Sequence, residues 1–175
     1  VQGSFAETVL GIRNAIDLGA TVATNTVITK SNVRNLDEIA GTLCSLGVRQ
    51  MQFSYPHIDG KALINADSIA SPMSIAVPYV LRAVETALRH GVLVFAEGIP
   101  HCMLGRFSAH AVENIRTKRR VVDFMGDIED FHGHRTVRMK EKQSGCDECS
   151  RNRICEGPWS DYIERFSWKE FKPLP

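Results

Sequence analysis

A chain of 175 residues with 43% hydrophobic and 23% charged residues holds enough apolar material for one full core, or for a sub-domain with a small appendage. Its 21 Lys and Arg against 20 Asp and Glu leave a formal net charge of +1, which argues against a dedicated nucleic-acid binder with its strong basic excess. No run reaches the ~18–20 consecutive apolar residues of a membrane helix, and no basic-then-apolar leader opens the chain, so neither nucleic acid nor membrane is expected as a partner.

The opening Val1-Gln2-Gly3-Ser4, with no initiator Met, reads as the interior of a longer protein. Ser4 and Glu7 have the spacing of a capping box, and Phe5, Val9, Ile12 and Ile16 follow at helical period up to the stop at Gly19. The β-branched run Thr21–Thr29 predicts a strand. A second unit repeats the plan. Asn35 and Glu38 form a second candidate capping box, and Leu36, Ile39, Ala40, Leu43 and Leu46 predict the buried stripe of a helix ended by Gly47. Gln50–Tyr55 predicts the next strand, and a loop is expected from Pro56 to about Ser71. A third helix is expected to run to about His90, starting at Ser74 or later because Pro78 lies in its first turns. Val92–Glu97 predicts the third strand.

Helix and strand thus alternate three times, the pattern of an α/β chain with a parallel sheet. Three such units make a piece of a barrel or of an open doubly wound sheet. The nucleotide-binding versions of the open sheet are unsupported, since no Gly-x-Gly-x-x-Gly or Gly-x-x-x-x-Gly-Lys follows a strand. Beyond Gly98 the periodicity weakens, and a domain boundary is placed near residue 100. Ile128–Met139 predicts a short hairpin turning at His132-Gly133-His134, which reads as a polar turn rather than a metal site because no third ligand stands nearby. The basic run Arg116–Arg120 reads as a solvated face.

Five cysteines are present, and three fall within ten residues as Cys146-x2-Cys149-x5-Cys155. An odd, clustered count without a secretory leader does not read as a disulfide framework; it reads as a metal site in a reducing compartment, and the cytoplasm is the expected location. A two-residue gap aims two thiolates at one centre, and these soft ligands select zinc or an iron–sulfur cluster. Gly145 and Gly157 flank the set and let the backbone approach the sulfurs. Both metals commonly take four ligands, and Cys102 is the best fourth candidate; Cys44 lies on a helical apolar stripe and reads as core. Asn25, Gln52 and Glu97 are polar positions in or at the ends of three apolar strands, where a bound ligand or the residues themselves would satisfy them. His57 and Asp59 follow the second strand at the same expected mouth, as a conceivable acid/base pair or a plain surface loop.

The stretches Gly3-Ser4-Phe5, Gly11-Ile12-Arg13-Asn14 and Asn25-Thr26-Val27-Ile28-Thr29-Lys30-x-Asn32, with Leu46-Gly47-Val48 leading to Gln52-Phe53, resemble the later βα units of radical S-adenosylmethionine (radical SAM) enzymes. The tail from Cys146 through Gly157-Pro158-Trp159-x2-Tyr162 to Glu170-Phe171-Lys172-Pro173 resembles their SPASM or "twitch" extensions. The resemblance implies that residues 1–100 are the C-terminal half of a partial (β/α)6 TIM barrel. Residues 101–175 would then be a small cysteine-rich α+β domain holding an auxiliary 4Fe-4S cluster on Cys146, Cys149, Cys155 and Cys102. It places Asn25 where such enzymes often contact SAM, with Gln52 on the next barrel strand. It also implies an oxidoreductase that abstracts hydrogen from a peptide or small-molecule substrate, served by an electron donor such as ferredoxin or flavodoxin.

The family's Cys-x3-Cys-x2-Cys loop and the glycine-rich motif that holds the SAM amino group are absent, so these residues alone are not expected to cleave SAM. No further Cys stands near Trp159, which implies one auxiliary cluster. The alternatives are a zinc-stabilised binding module and a non-catalytic electron-transfer or docking subunit for a separate radical SAM chain.

Overall fold

A computed structural model describes residues 3–123 and 126–175; Val1 and Gln2 of the opening lie outside the described residues. The chain is α/β. It carries a three-stranded parallel sheet and a small antiparallel one. Helix α1 (Ser4–Asp17) leads into β1 (Ala23–Val27), and α2 (Leu36–Leu46) leads into β2 (Gln50–Ser54). Two single-turn helices, α3 (Lys61–Ile64) and α4 (Ala66–Ile69), precede α5 (Met73–Arg89), which leads into β3 (Leu93–Glu97). The strands lie in the order β1-β2-β3, with Asn25 opposite Gln52 and Ser54 opposite Glu97.

Alternation decides which face is covered. Met51, Phe53, Val94 and Ala96 point to one side and are buried, and α2 and α5 pack against each other over that side. On α5, Met73, Ala76, Val77, Val80, Ala83, Val84 and Ala87 recur at helical spacing and are buried. Pro78 sits inside this helix, but its ring is on the exposed side, so the lost amide bond costs no packing. The helix begins at Met73 rather than Ser74, because its first turn is held from outside by the C-terminal tail. Glu170 accepts from Met73 N (3.1 Å) and from Ser74 Oγ (2.5 Å).

Several local expectations are corrected. Neither capping box forms: α1 starts after Gly3 and α2 after Asn35, and neither start has a side-chain cap. The first strand is trimmed to Ala23–Val27, since pairing with β2 extends only that far. The loop after β2 contains α3 and α4. The hairpin expected at Ile128–Met139 is replaced by a hairpin just upstream, of β4 (Val121–Asp123) and β5 (Gly126–Ile128), and by helix α7 (Phe131–Arg138) across His132-Gly133-His134. Asp130 caps α7 by accepting from Gly133 N, a local bond that draws the His-Gly-His segment into a helical turn.

The second half of the chain begins with α6 (His101–Leu104) and ends with α8 (Ser160–Phe166) and an extended tail. Residues on both sides of position 100 share one core, in which Trp159, Tyr162 and Phe171 pack with Met73, Val77 and Phe53. Helix α1 contributes no buried residue; Phe5, Leu10 and Leu18 are largely exposed, and β1 is an edge strand. No helix among the described residues is long and apolar enough to cross a membrane.

Candidate functional site

The uncovered face of the sheet carries a polar row that runs from mid-strand, at Asn25 and Gln52, to the carboxyl ends of β2 and β3, at Ser54 and Glu97. Gln52 Nε2 donates to Ser54 Oγ (2.9 Å) and to Glu97 Oε2 (2.8 Å). Ser54 Oγ lies 2.8 Å from Asn25 Oδ1 and 2.9 Å from Glu97 Oε2. One hydroxyl proton serves only one acceptor, so the Asn25 amide in its other orientation would donate to Ser54. Asn25, Gln52 and Glu97 are therefore brought together and satisfy one another through Ser54, which the sequence pattern does not single out. A pocket follows at the strand ends, walled by Val27, Tyr55, His57 and Trp159 and floored by Ser54 and Glu97. The His57 ring lies 3.8 Å from that of Trp159, and its Nδ1 is 3.6 Å from Asp161 Oδ2. Asp161, not Asp59, is the carboxylate beside His57.

The cysteines form the second site. Cys102 on α6 and Cys146, Cys149 and Cys155 of the C-terminal loop all line one cavity. Burial pushes the Cys102 thiol up to about 11, and the other three cysteines add to the rise. Backbone amides point at two of the sulfurs: Leu174 N donates to Cys149 Sγ (3.3 Å) and Gly157 N to Cys155 Sγ (3.4 Å). Trp168 and Phe171 close the apolar wall, and His101 completes it. Among the described residues, no three His, Cys, Asp or Glu side chains are drawn together as the ligands of one metal ion would be. Cys44 lies apart on α2, packed at the edge of the core, and burial raises its thiol. His132 and His134 do not line the cysteine cavity.

Sequence patterns gave no signal for the buried ionic network that supports the cysteine loop. Glu156, next to Cys155, accepts a two-pronged pair from Arg135 on α7 (2.9 and 2.8 Å). Lys140 Nζ bonds Glu113, lies 3.5 Å from Glu156 Oε2, and sits 4.2 Å above the Trp159 ring. Glu113 in turn accepts from Gly98 N (2.9 Å). Two cations and two carboxylates thus balance in a region where an unpaired charge would be costly. Burial opposes the Glu156 carboxylate, but the Arg135 bonds and the nearby Lys140 charge outweigh it and hold the group below the usual carboxylate range.

Gly157 makes the turn after Glu156 with φ +87°, and a Cβ there would fall 1.8 Å from Glu141 O. Arg116 Nη2 donates to Arg153 O (2.8 Å) and Lys142 Nζ to Asn152 O (2.6 Å), so one residue of the basic run fastens the cysteine loop. Arg120 pairs with Asp127 across the small hairpin. Two segments run from one site to the other: Glu97 faces the strand-end pocket while Pro100 lines the cysteine cavity, and Trp159 and Pro158 do the same. Comparison with family models, curated proteins and solved structures finds no match for this chain.

Proposed function

We propose that this chain is the C-terminal part of a radical SAM oxidoreductase and that its four-cysteine cavity holds an auxiliary 4Fe-4S cluster. The carrying observation is the shared cavity of Cys102, Cys146, Cys149 and Cys155, with two amides directed at sulfur. An all-sulfur donor set suits a soft centre. Four thiols lining one cavity supply the donor set that a 4Fe-4S cluster takes. Amide-to-sulfur bonds and an apolar wall are the features by which a protein stabilises and tunes such a cluster.

The barrel reading draws on three features. The strands are in sequential order, both crossover helices pack side by side, and a parallel bridge joins Ala96 to Ala111, continuing the order past β3. In this reading Asn25 and Gln52 face bound SAM on the uncovered sheet face, and the substrate occupies the adjoining strand-end pocket beside Glu97, His57 and Trp159. When bound, such a cluster would supply electron exchange with the substrate. The chain's own residues shape the substrate pocket, exclude water with Tyr55 and Trp159, and separate substrate from cluster by short, buried segments.

Anaerobic reconstitution of the chain with iron and sulfide tests this. The expected result is matched uptake of iron and acid-labile sulfide and a brown colour that bleaches on reduction, both lost in Cys149→Ala. Stoichiometric zinc without colour, or no metal at all, would overturn the reading in favour of a zinc-stabilised module or a metal-free fold. In Cys102→Ser, a shift to a three-iron form or a labile cluster is expected by electron paramagnetic resonance; an unchanged four-iron signal would remove Cys102 from the ligand set.

A further inference from the structure

His101 sits at the start of α6, beside Cys102, and lines the cysteine cavity. It is 2% exposed, and neither Nδ1 nor Nε2 has a hydrogen-bond partner among the described residues. A neutral imidazole always carries one N–H, and a buried donor without an acceptor is a feature that needs a reason. The Glu113 charge reaches the ring, but no hydrogen bond joins the two side chains. Glu113 takes its bonds from Gly98 and Lys140 through Oε1, while its Oε2 is also buried without a partner. The two amide-to-sulfur bonds already described go to Cys149 and Cys155, on the C-terminal loop. His101 is the polar side chain that the α6 side of the cavity offers.

We infer that His101 donates a ring N–H hydrogen bond to a sulfur of the cluster held by these cysteines, and thereby sets its reduction potential. The inference rests on the cluster assignment above. A hydrogen bond to sulfur withdraws electron density and favours the reduced, more negatively charged cluster. His101 is thus a positioning residue for the cluster and not a catalytic one.

The test uses the reconstituted chain, with iron and sulfide counted first, and redox titration followed by electron paramagnetic resonance. His101→Phe fills a similar volume without a donor, and His101→Gln restores an N–H. The expected result is a midpoint potential lowered in His101→Phe and returned toward wild type in His101→Gln, at unchanged iron content. Equal potentials in all three loaded proteins would overturn the inference, as would a loss of thermal stability alone, which would assign His101 to packing beside Glu113. Should His101→Phe fail to load, the wild-type cluster labelled with ¹⁵N-histidine decides. A weak nitrogen coupling supports the bond; no coupling, or the strong coupling of a nitrogen bound to iron, overturns it. A wild-type chain that takes up no iron instead overturns the cluster assignment itself.

Discussion

Cys102 stands forty-four positions before Cys146, yet in the folded chain burial and the three loop thiols together hold its proton on. Raised from 9.0 to about 11, it carries about 100-fold less thiolate than an ordinary thiol at mildly alkaline pH. Alkylation of the metal-free protein followed by peptide mass spectrometry is expected to show Cys102 reacting more slowly than a model thiol by about that factor; equal rates would contradict its burial beside the other thiols. Glu156 makes the opposite case. Its carboxylate is held low, so the folded state releases its proton more readily than the unfolded chain does. Its contribution to stability is present in full above the ordinary value near 4.5 and is lost as the pH falls through the lower folded value. Glu156→Gln leaves Arg135 and Lys140 short of a counter-charge, and a loss of about 3–5 kcal/mol is expected at pH 7. Urea unfolding of both proteins from pH 7 to pH 3 checks this, and the gap is expected to narrow on the acid side.

At the scale of elements, the cysteine loop is held by its neighbours more than by its own secondary structure. Lys140 and Trp159 form an antiparallel bridge, Glu141 N bonds Pro158 O (3.1 Å), and Gly157 passes directly over Glu141 O. Gly157→Ala would need both a left-handed backbone at a residue with a side chain and a displacement of that carbonyl. A cost of at least about 1–3 kcal/mol follows from such strain. Thermal unfolding is expected to fall by several degrees, and under the cluster proposal iron is retained less well after reconstitution, because the turn carries the amide that bonds Cys155. Gly98 presents a like constraint from the end of β3, where an added Cβ would lie 2.4 Å from Trp159 Nε1. Gly98 thus leaves room for the Trp159 ring, which lies between Lys140 and His57.

The molecule as a whole is tied across position 100 by α8 and the tail. Tyr162 is fully buried, its hydroxyl accepts from Met73 N (2.8 Å) and donates to Glu170, and its ring meets Tyr55, Phe166 and Phe171 edge-on or tilted. Burial, with the Glu170 bond and charge, pushes its phenol well above the usual range, so it stays a neutral donor at any physiological pH. Tyr162→Phe keeps the packing and removes the hydroxyl, at an expected cost of about 1–2 kcal/mol. Because one core spans both halves, chemical denaturation followed by tryptophan fluorescence and by far-ultraviolet circular dichroism is expected to give coincident transitions in wild type and variant alike. Two separated transitions would mean that the segments on either side of residue 100 unfold independently.

Hydrophobic period and cysteine spacing were enough, without any structure, to determine three helix–strand units, the parallel sheet, and a thiol-rich loop beginning at Cys146. These are properties of neighbouring residues, and a helix or strand repeats its face within a few positions. The His-Gly-His segment escaped that logic because a single Asp130 cap decides between turn and helix there. Tertiary structure alone decided that Ser54 links Asn25 to Glu97, that Arg135 and Lys140 neutralise Glu113 and Glu156, and that His101 faces the cavity lined by Cys102 and the loop thiols. Those partners lie tens of residues apart, and nothing in a local pattern records which distant side chain will neutralise a charge or share a cavity once the core has closed.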